Sequence, residues 1–267
     1  MVRHHTSRLA GPWPYFVFVF VWTWLFWGAA ALSRRDMGEL PVPILVALGG
    51  LGPALGGIGL TWLNGGCEAW ADYWRRVVDL RRVGGGWLAI TLLWVPALTL
   101  VSAMLATWIE GRGAPFAANL APRFEGNLLS LLPFLGLTLF FGPLPEELGW
   151  RGYVLDPLQA RYGVRMGALV LGVLWTVWHA PLFFVVGSYQ NGLAVGSAGF
   201  WWYMVDKAMQ SMVMAWIMGH TERSTLTAIL FHLMVNFCGE ALVLMPLAEG
   251  IQIGVWAIAT GVMMWLM

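Results

Sequence analysis

The chain has 267 residues, of which 59% are hydrophobic and only 11% are charged, and its formal net charge is +1 at pH 7. Soluble domains carry about 25% charged residues, so this composition excludes an ordinary soluble domain and predicts a multi-pass membrane protein. The small net charge gives no reason to expect a nucleic-acid partner. The two cysteines, Cys67 and Cys238, lie far apart in the sequence and indicate neither a disulfide framework nor a CxxC motif.

Apolar runs long enough to cross a bilayer recur along the whole sequence. Because one crossing needs about 20 such residues, we predict an all-α, polytopic membrane helical bundle with about eight transmembrane helices. The run after Pro14 is too long for a signal peptide and is interpreted as the first span. Only a short break near Pro246 separates the last two spans, so seven is the alternative. The predicted spans are residues 14–32, 42–63, 87–108, 127–148, 166–186, 200–219, 225–243 and 248–266, in one integral membrane domain over residues 1–267.

The arginines predict the orientation of the chain, because cytoplasmic loops carry an excess of basic residues. With the N-terminus inside, nine loop arginines lie in the cytoplasm and four lie outside. We therefore predict a protein of the cell (plasma) membrane with both termini in the cytoplasm. The cytoplasmic set is Arg3, Arg8, Arg75, Arg76, Arg81, Arg82, Arg161, Arg165 and Arg223, and the external set is Arg34, Arg35, Arg112 and Arg123.

The second predicted span is rich in glycine. Gly52 and Gly56 form a GxxxG pair, which lets helix backbones approach closely and predicts a tight packing seam. Pro53 lies inside this pair and predicts a kink.

Two adjacent carboxylates, Glu146 and Glu147, follow the apolar run 128–141. A carboxylate in the bilayer core costs about 2.5–3.5 kcal/mol on insertion scales. Neighbouring helical side chains point about 100° apart, so the two glutamates are predicted to have different partners. Arg151 lies four residues after Glu147, a spacing that favours an ion pair. We predict a new helix starting at Pro145, and a charge cluster at the headgroups is the alternative interpretation.

Two histidines lie within later predicted spans, each with a polar or aromatic residue on the same helical face. Trp175 precedes His179 by four residues, and Asn236 follows His232 by four. A single intramembrane histidine is equally compatible with a packing role, and Asn236 with a hydrogen bond between helices. A histidine with an asparagine at this spacing is also suited to donate hydrogen bonds to a developing oxyanion.

Together these residues provide what a water-mediated hydrolysis needs: a base, oxyanion donors and a wall that excludes bulk solvent. The predicted site residues are Glu146, His179, His232 and Asn236. Asp206 and Lys207 in the sixth span are predicted to neutralise each other. Two other functions stay open, an ion-coupled transporter that uses the intramembrane charges as an ion path and a catalytically silent membrane scaffold of the same fold.

The three motifs, in this order, resemble those of the CPBP family of intramembrane proteases, which includes the type II CAAX prenyl endopeptidases (the Rce1 group) and bacteriocin-processing proteins. The motifs are Glu-Glu-x-x-x-Arg at 146–151, aromatic-x-x-x-His at 175–179 and His-x-x-x-Asn at 232–236. The resemblance covers about residues 125–245, the predicted catalytic half. Trp175 is a departure, since the family usually has phenylalanine there.

The resemblance implies an intramembrane endopeptidase acting on a membrane-associated peptide or protein, with or without a prenyl chain, among membrane lipids. Glu146 would activate water with help from His179. The oxyanion would be held by His232 and Asn236. The supporting residues would be Glu147 and Arg151.

The resemblance leaves the need for a metal open. The preferred mechanism requires no cofactor. The alternative is zinc, bound by Glu146 or Glu147 together with His179 and His232, since histidine and carboxylate are ordinary zinc ligands. The sequence has no HExxH motif, which excludes a helix-borne zincin site.

Overall fold

The computed structural model describes residues 11–111, 116 and 118–267. As predicted, this part of the chain is mostly α-helical, with two strands of three residues each. The first helices are α1 (Pro12–Ser33), α2 (Val42–Gly50), α3 (Gly52–Val78) and α4 (Gly85–Glu110). After strand β1 (Ala118–Leu120) come α5 (Leu131–Phe141), α6 (Pro143–Gly149), α7 (Leu155–Tyr162), α8 (Val164–Trp178), α9 (Tyr189–Gly192), α10 (Ala198–Gly219), α11 (Thr225–Ala241), strand β2 (Leu242–Leu244) and α12 (Pro246–Leu266).

Six helical segments of the described residues are long and apolar enough to cross a membrane, which confirms the polytopic class. The predicted count of eight is not confirmed. Helix α10 is long enough but is not among the six, because polar residues such as Asp206, Lys207 and Gln210 lower its hydropathy, and α11 is shorter than a full crossing. The six segments are Pro12–Ser33, Val42–Val78, Gly85–Glu110, Leu128–Tyr162, Val164–Phe184 and Pro246–Leu266.

The predicted orientation stays a prediction. Three of its arginines, Arg3, Arg8 and Arg112, lie outside the described residues. The chain divides into two compact units: unit 1 comprises Met1–Val78 and Pro145–Ala215, and unit 2 comprises Asp79–Leu144 and Trp216–Met267.

In unit 1, helix α1 packs against α2 and α3 through the glycine-rich face predicted from the sequence. A Cβ atom on Gly52 would lie 2.6 Å from Thr23 Oγ1, and one on Gly56 would lie 3.1 Å from Val19 Cγ2. The Gly52–Gly56 pair therefore forms the expected close seam.

The predicted kink at Pro53 is displaced. The helix is interrupted at Leu51, between α2 and α3, and Pro53 lies in the first turn of α3, where its missing N–H costs no hydrogen bond. A second break lies at Gly66, where φ is 65°, a left-handed value that glycine adopts without strain. Beyond it α3 continues to Val78.

In unit 2, helix α4 packs against α11 and α12, and α5 packs against α11. Strands β1 and β2 pair antiparallel, with Asn119 opposite Val243. Next to them, Arg123 forms a 3.0 Å ion pair with Glu240 and lies over the ring of Phe134. This ion pair gives Glu240 a structural role in unit 2.

The close approach of α3 to α6 leads to a first prediction. A Cβ atom on Gly57 would lie 2.7 Å from the Leu148 carbonyl oxygen and 2.9 Å from Gly149 Cα. Since both are backbone atoms that cannot rotate away, Gly57→Ala is expected to destabilise the protein by about 1–3 kcal/mol. Thermal unfolding of purified protein in detergent measures the effect. Gly59→Ala is the matched control on the same helix: nothing lies within 4 Å of its Cβ position, so its unfolding temperature should be unchanged or higher.

Candidate active site

A helix break precedes the acidic pair. Helix α5 ends at Phe141, Gly142 is non-helical with φ −144° and ψ −90°, and α6 begins at Pro143, two residues before the predicted start at Pro145. Neither Pro143 nor Pro145 has an N–H, so the hydrogen-bond ladder cannot run through them. Glu146 consequently lies in the first turn of α6, where a negative charge is favoured by the helix dipole.

Glu147 forms the predicted ion pair with Arg151. Nη1 of Arg151 donates to both carboxylate oxygens of Glu147, at 2.9 and 3.0 Å. Both side chains are fully buried, at 0% exposure. Arg151 lies in a π-helical turn, Trp150–Val154, that joins α6 to α7.

Two side chains of helix α3 donate hydrogen bonds to backbone carbonyls of the segment 148–151. Tyr73 Oη donates to the Leu148 carbonyl at 2.8 Å. Arg76 Nη2 donates to the Arg151 carbonyl at 2.9 Å, and its Nη1 forms a 2.8 Å ion pair with Asp156. Arg76 was predicted to be a loop arginine on the cytoplasmic surface, but its side chain is only 5% exposed and supports the site.

Glu146 points away from Glu147, as the helical spacing predicted. Its Oε2 accepts a 2.7 Å hydrogen bond from the indole N–H of Trp175 on α8, and its residue exposure is 8%. The indole N–H can only donate, so Trp175 fixes the position of this carboxylate oxygen.

His179 lies at the end of α8 rather than inside a continuous helix, because α8 stops at Trp178 and a 3₁₀ turn follows. Its Nδ1 lies 2.8 Å from the Trp175 carbonyl oxygen. A carbonyl only accepts hydrogen bonds, so Nδ1 carries the proton, and in the neutral ring Nε2 carries the lone pair. Nε2 is therefore the atom suited to accept a proton from water.

Trp175 thus contacts both reactive groups of unit 1, its side chain holding Glu146 and its carbonyl holding His179. The sequence predicted only that Trp175 shares a helical face with His179, and its role as a donor to Glu146 was missed. The usable signal was the indole nitrogen itself, which buried tryptophans normally pair with an acceptor.

The charged pair of α10 is also arranged differently from the prediction of mutual neutralisation. Lys207 Nζ donates to Gln210 Oε1 at 3.1 Å, and Gln210 Nε2 donates to Asp206 Oδ2 at 2.6 Å, so a glutamine bridges the two charges. Gln210 was not singled out from the sequence, although its spacing of three and four residues from the pair indicates contact.

In unit 2, His232 and Asn236 share a face of α11 and contact each other, as predicted. Asn236 Nδ2 lies 3.2 Å from His232 Nε2, and His232 is 2% exposed. With the amide donating, His232 Nε2 accepts, and the proton of the neutral ring lies on Nδ1.

The donors within unit 1 do not complete a zinc site. A zinc ion needs at least three protein ligands, and Glu147, one of the candidate ligands, is engaged by Arg151. Over the described residues, neither unit contains a group of three or more His, Cys, Asp or Glu side chains that could hold a metal ion.

A buried carboxylate and an oriented imidazole, carried by helices of a multi-pass membrane protein, are groups that a membrane-embedded hydrolase would use as acid–base catalysts. Residues 128–238 match the family model of the Rce1-like type II CAAX prenyl endopeptidases. The chain is also 27% identical to CAAX prenyl protease 2 of Methanococcus maripaludis over 246 residues, which cover 90% of this chain and 88% of that protein. The chain is therefore similar to this family over its predicted catalytic half, and both comparisons indicate a membrane protease.

Proposed function

We propose that this protein hydrolyses a peptide bond close to the C-terminus of a membrane-associated, prenylated CAAX-type peptide or protein. The main support is the arrangement around Trp175, which holds the carboxylate of Glu146 and the imidazole of His179 in one buried place. The similarity to CAAX prenyl protease 2 supports the substrate class.

In the proposed reaction, the carboxylate of Glu146 removes a proton from a water molecule as that water attacks the scissile carbonyl carbon. His179 assists by accepting a hydrogen bond from the same water at Nε2. The carbonyl oxygen becomes an oxyanion, which the ring N–H of His232 and the second amide hydrogen of Asn236 stabilise with hydrogen bonds. The C–N bond then breaks, and the protonated Glu146 delivers its proton to the leaving amine.

Glu147 and Arg151 do not touch the substrate in this mechanism. Their buried ion pair fixes the start of the π-helical turn and thereby the direction in which Glu146 points. The proposed enzyme acts in the plasma membrane with both termini in the cytoplasm, which the arginine distribution supports and which protease accessibility of a C-terminal tag in oriented vesicles would test.

A cleavage assay on purified protein tests the function. The substrate is a fluorogenic CAAX-type peptide, offered with and without a farnesyl chain, with products identified by mass spectrometry. Removing a general acid–base group typically costs about 10²- to 10⁴-fold in rate, so His179→Ala is expected to lower kcat within that range. His232→Ala and Asn236→Ala are expected to cost about 10²- to 10³-fold each as oxyanion donors. The farnesylated peptide should have the lower KM, since apolar burial contributes about 0.8 kcal/mol per CH₂.

The same assay, run before and after dialysis against a strong chelator, addresses the metal question. We propose a mechanism without a metal, supported by the engagement of Glu147 with Arg151 and of Glu146 with Trp175. Full activity in chelator is the expected result. Loss of activity that zinc restores would instead favour the zinc alternative, with Glu146 or Glu147, His179 and His232 as the candidate ligands. Ion-coupled uptake into liposomes without cleavage would favour a transporter, and full activity of every alanine variant would contradict the assigned roles.

A further inference from the structure

The only lysine of the sequence, Lys207, has no part in the mechanism above, yet it lies against the residue that holds both Glu146 and His179. Its Nζ lies 5.6 Å from the ring centroid of Trp175 and 5.4 Å from that of Tyr203. An ammonium within about 6 Å of an aromatic face is attracted to the ring, by about 2 kcal/mol or more when it is desolvated.

The packing of α10 on α8 determines this placement. A Cβ atom on Gly172 would lie 3.0 Å from both Ala208 Cα and Ser211 Cβ. The absence of a side chain at Gly172 therefore allows the two helices to pack closely. Ser211 Oγ donates to the Ala168 carbonyl at 3.1 Å. Thr176 Oγ1 donates to the Gly172 carbonyl at 2.7 Å and shares its hydrogen with the Met204 carbonyl at 3.3 Å. These contacts, on both sides of the lysine, fix the position of its backbone relative to Trp175.

The lysine side chain is held as well as its backbone. Gln210 is 2% exposed and accepts from Lys207 Nζ at 3.1 Å, while its own amide donates to Asp206 at 2.6 Å. The chain of contacts Asp206–Gln210–Lys207 therefore ends with the ammonium directed at the aromatic rings. Arg151 Cζ lies 4.7 Å from the Trp175 ring centroid, so a second cation restrains the same ring.

We propose that Lys207 is a positioning residue for peptide hydrolysis. Its ammonium, held by Gln210, restrains the ring of Trp175 and thereby the indole N–H that orients Glu146. This role rests on the proposed function and adds to it a residue outside the three sequence motifs. Lys207 acts through Trp175 and does not bind the substrate.

The test compares kcat and KM of Lys207→Met with those of the unmodified protein, on the farnesylated peptide. Because small misplacements of reacting groups cost up to about 100-fold in rate, kcat should fall by about 10- to 100-fold while KM changes less than about 2-fold. Lys207→Arg keeps a cation and should recover kcat to within about 3-fold. Arg161→Met is the matched control, since Arg161 lies over the exposed ring of Tyr162 at 5.5 Å, away from the site, and should leave both constants unchanged. If Lys207→Met fails to fold in detergent, Lys207→Gln takes its place as the neutral variant.

A double-mutant cycle decides whether the lysine acts through the indole. In a Trp175→Phe background, which lacks the N–H donor, Lys207→Met should change kcat by less than about 2-fold. The proposal is overturned if Lys207→Met leaves kcat unchanged, if it raises KM alone, if arginine fails to restore kcat, or if the loss is as large in the Trp175→Phe background. If the unmodified protein cleaves none of the peptides, the proposed function itself fails and the role of Lys207 falls with it.

Discussion

Replacing Glu146 by glutamine is expected to lower kcat for peptide cleavage by about 100- to 10,000-fold, the range in which a general base contributes. Glutamine has almost the same shape and keeps an oxygen that can accept the indole N–H of Trp175, so the packing at this position should survive. It cannot take a proton from water, so the chemical step is lost while binding remains. Steady-state kinetics should therefore show a fall in kcat with little change in KM.

The control for this variant is Glu249→Gln, in the first turn of α12, where the side chain is exposed. It makes the same chemical change without touching the proposed base, and its kcat should match that of the unmodified protein. Thermal unfolding of both variants checks that they are folded. Full activity of Glu146→Gln would rule out Glu146 as the base and favour the other carboxylate or a metal-bound water.

Breaking the buried ion pair is expected to have the largest effect on stability. Removing one partner of a buried pair typically costs about 3–5 kcal/mol, because the remaining charge has lost its compensation. Arg151→Met removes the positive charge that compensates the carboxylate of Glu147, and Glu147→Gln removes the negative charge that compensates the guanidinium of Arg151. Both side chains are at 0% exposure. Each single variant should unfold at a markedly lower temperature in detergent.

The double variant Glu147→Gln with Arg151→Met separates charge from packing. Since it buries no uncompensated charge from this pair, it is expected to be more stable than either single variant. Additive losses in the double variant would show that Glu147 and Arg151 contribute independently rather than as a pair. Activity should remain low in all three variants if the pair orients Glu146.

The long helices could be predicted from hydropathy alone. The predicted spans 14–32 and 87–108 correspond to α1, Pro12–Ser33, and α4, Gly85–Glu110. Continuous apolar runs of this length have no better arrangement in lipid than a helix that satisfies its own backbone hydrogen bonds. Hydropathy was therefore sufficient to predict these two helices without knowledge of their tertiary contacts.

Hydropathy alone did not predict the interruptions of other helices. The span predicted at 127–148 is divided by Gly142 and continues as helix to Tyr162, and the span predicted at 166–186 changes to a 3₁₀ turn after Trp178. The prolines at 143 and 145 indicated the first break to within two residues, whereas no break was predicted after Trp178. The positions of such breaks depend on the tertiary contacts that backbone groups make with neighbouring helices, and hydropathy does not show these contacts.

The site was predictable where it depended on helical spacing. Contacts four residues apart, Glu147 with Arg151 and His232 with Asn236, follow from the period of the helix and are present. The contact of Trp175 with Glu146 joins residues 29 positions apart, and no local period indicates it. Trp175, predicted only as a neighbour of His179, thus proved to be a hydrogen-bond donor to Glu146.

The π-helical turn Trp150–Val154 constrains how this protein can vary in length. A π turn accommodates one residue more than an α-helical turn, here with the Leu155 N–H donating to the Trp150 carbonyl. Because the wide turn absorbs the extra residue, deleting one residue there would convert it to regular helix and leave the downstream residues on the same face, so Asp156 should still pair with Arg76. In an alignment, a relative with a one-residue gap at this point is expected to have a regular helical turn there. The charged residues before and after the gap should still be compared position by position.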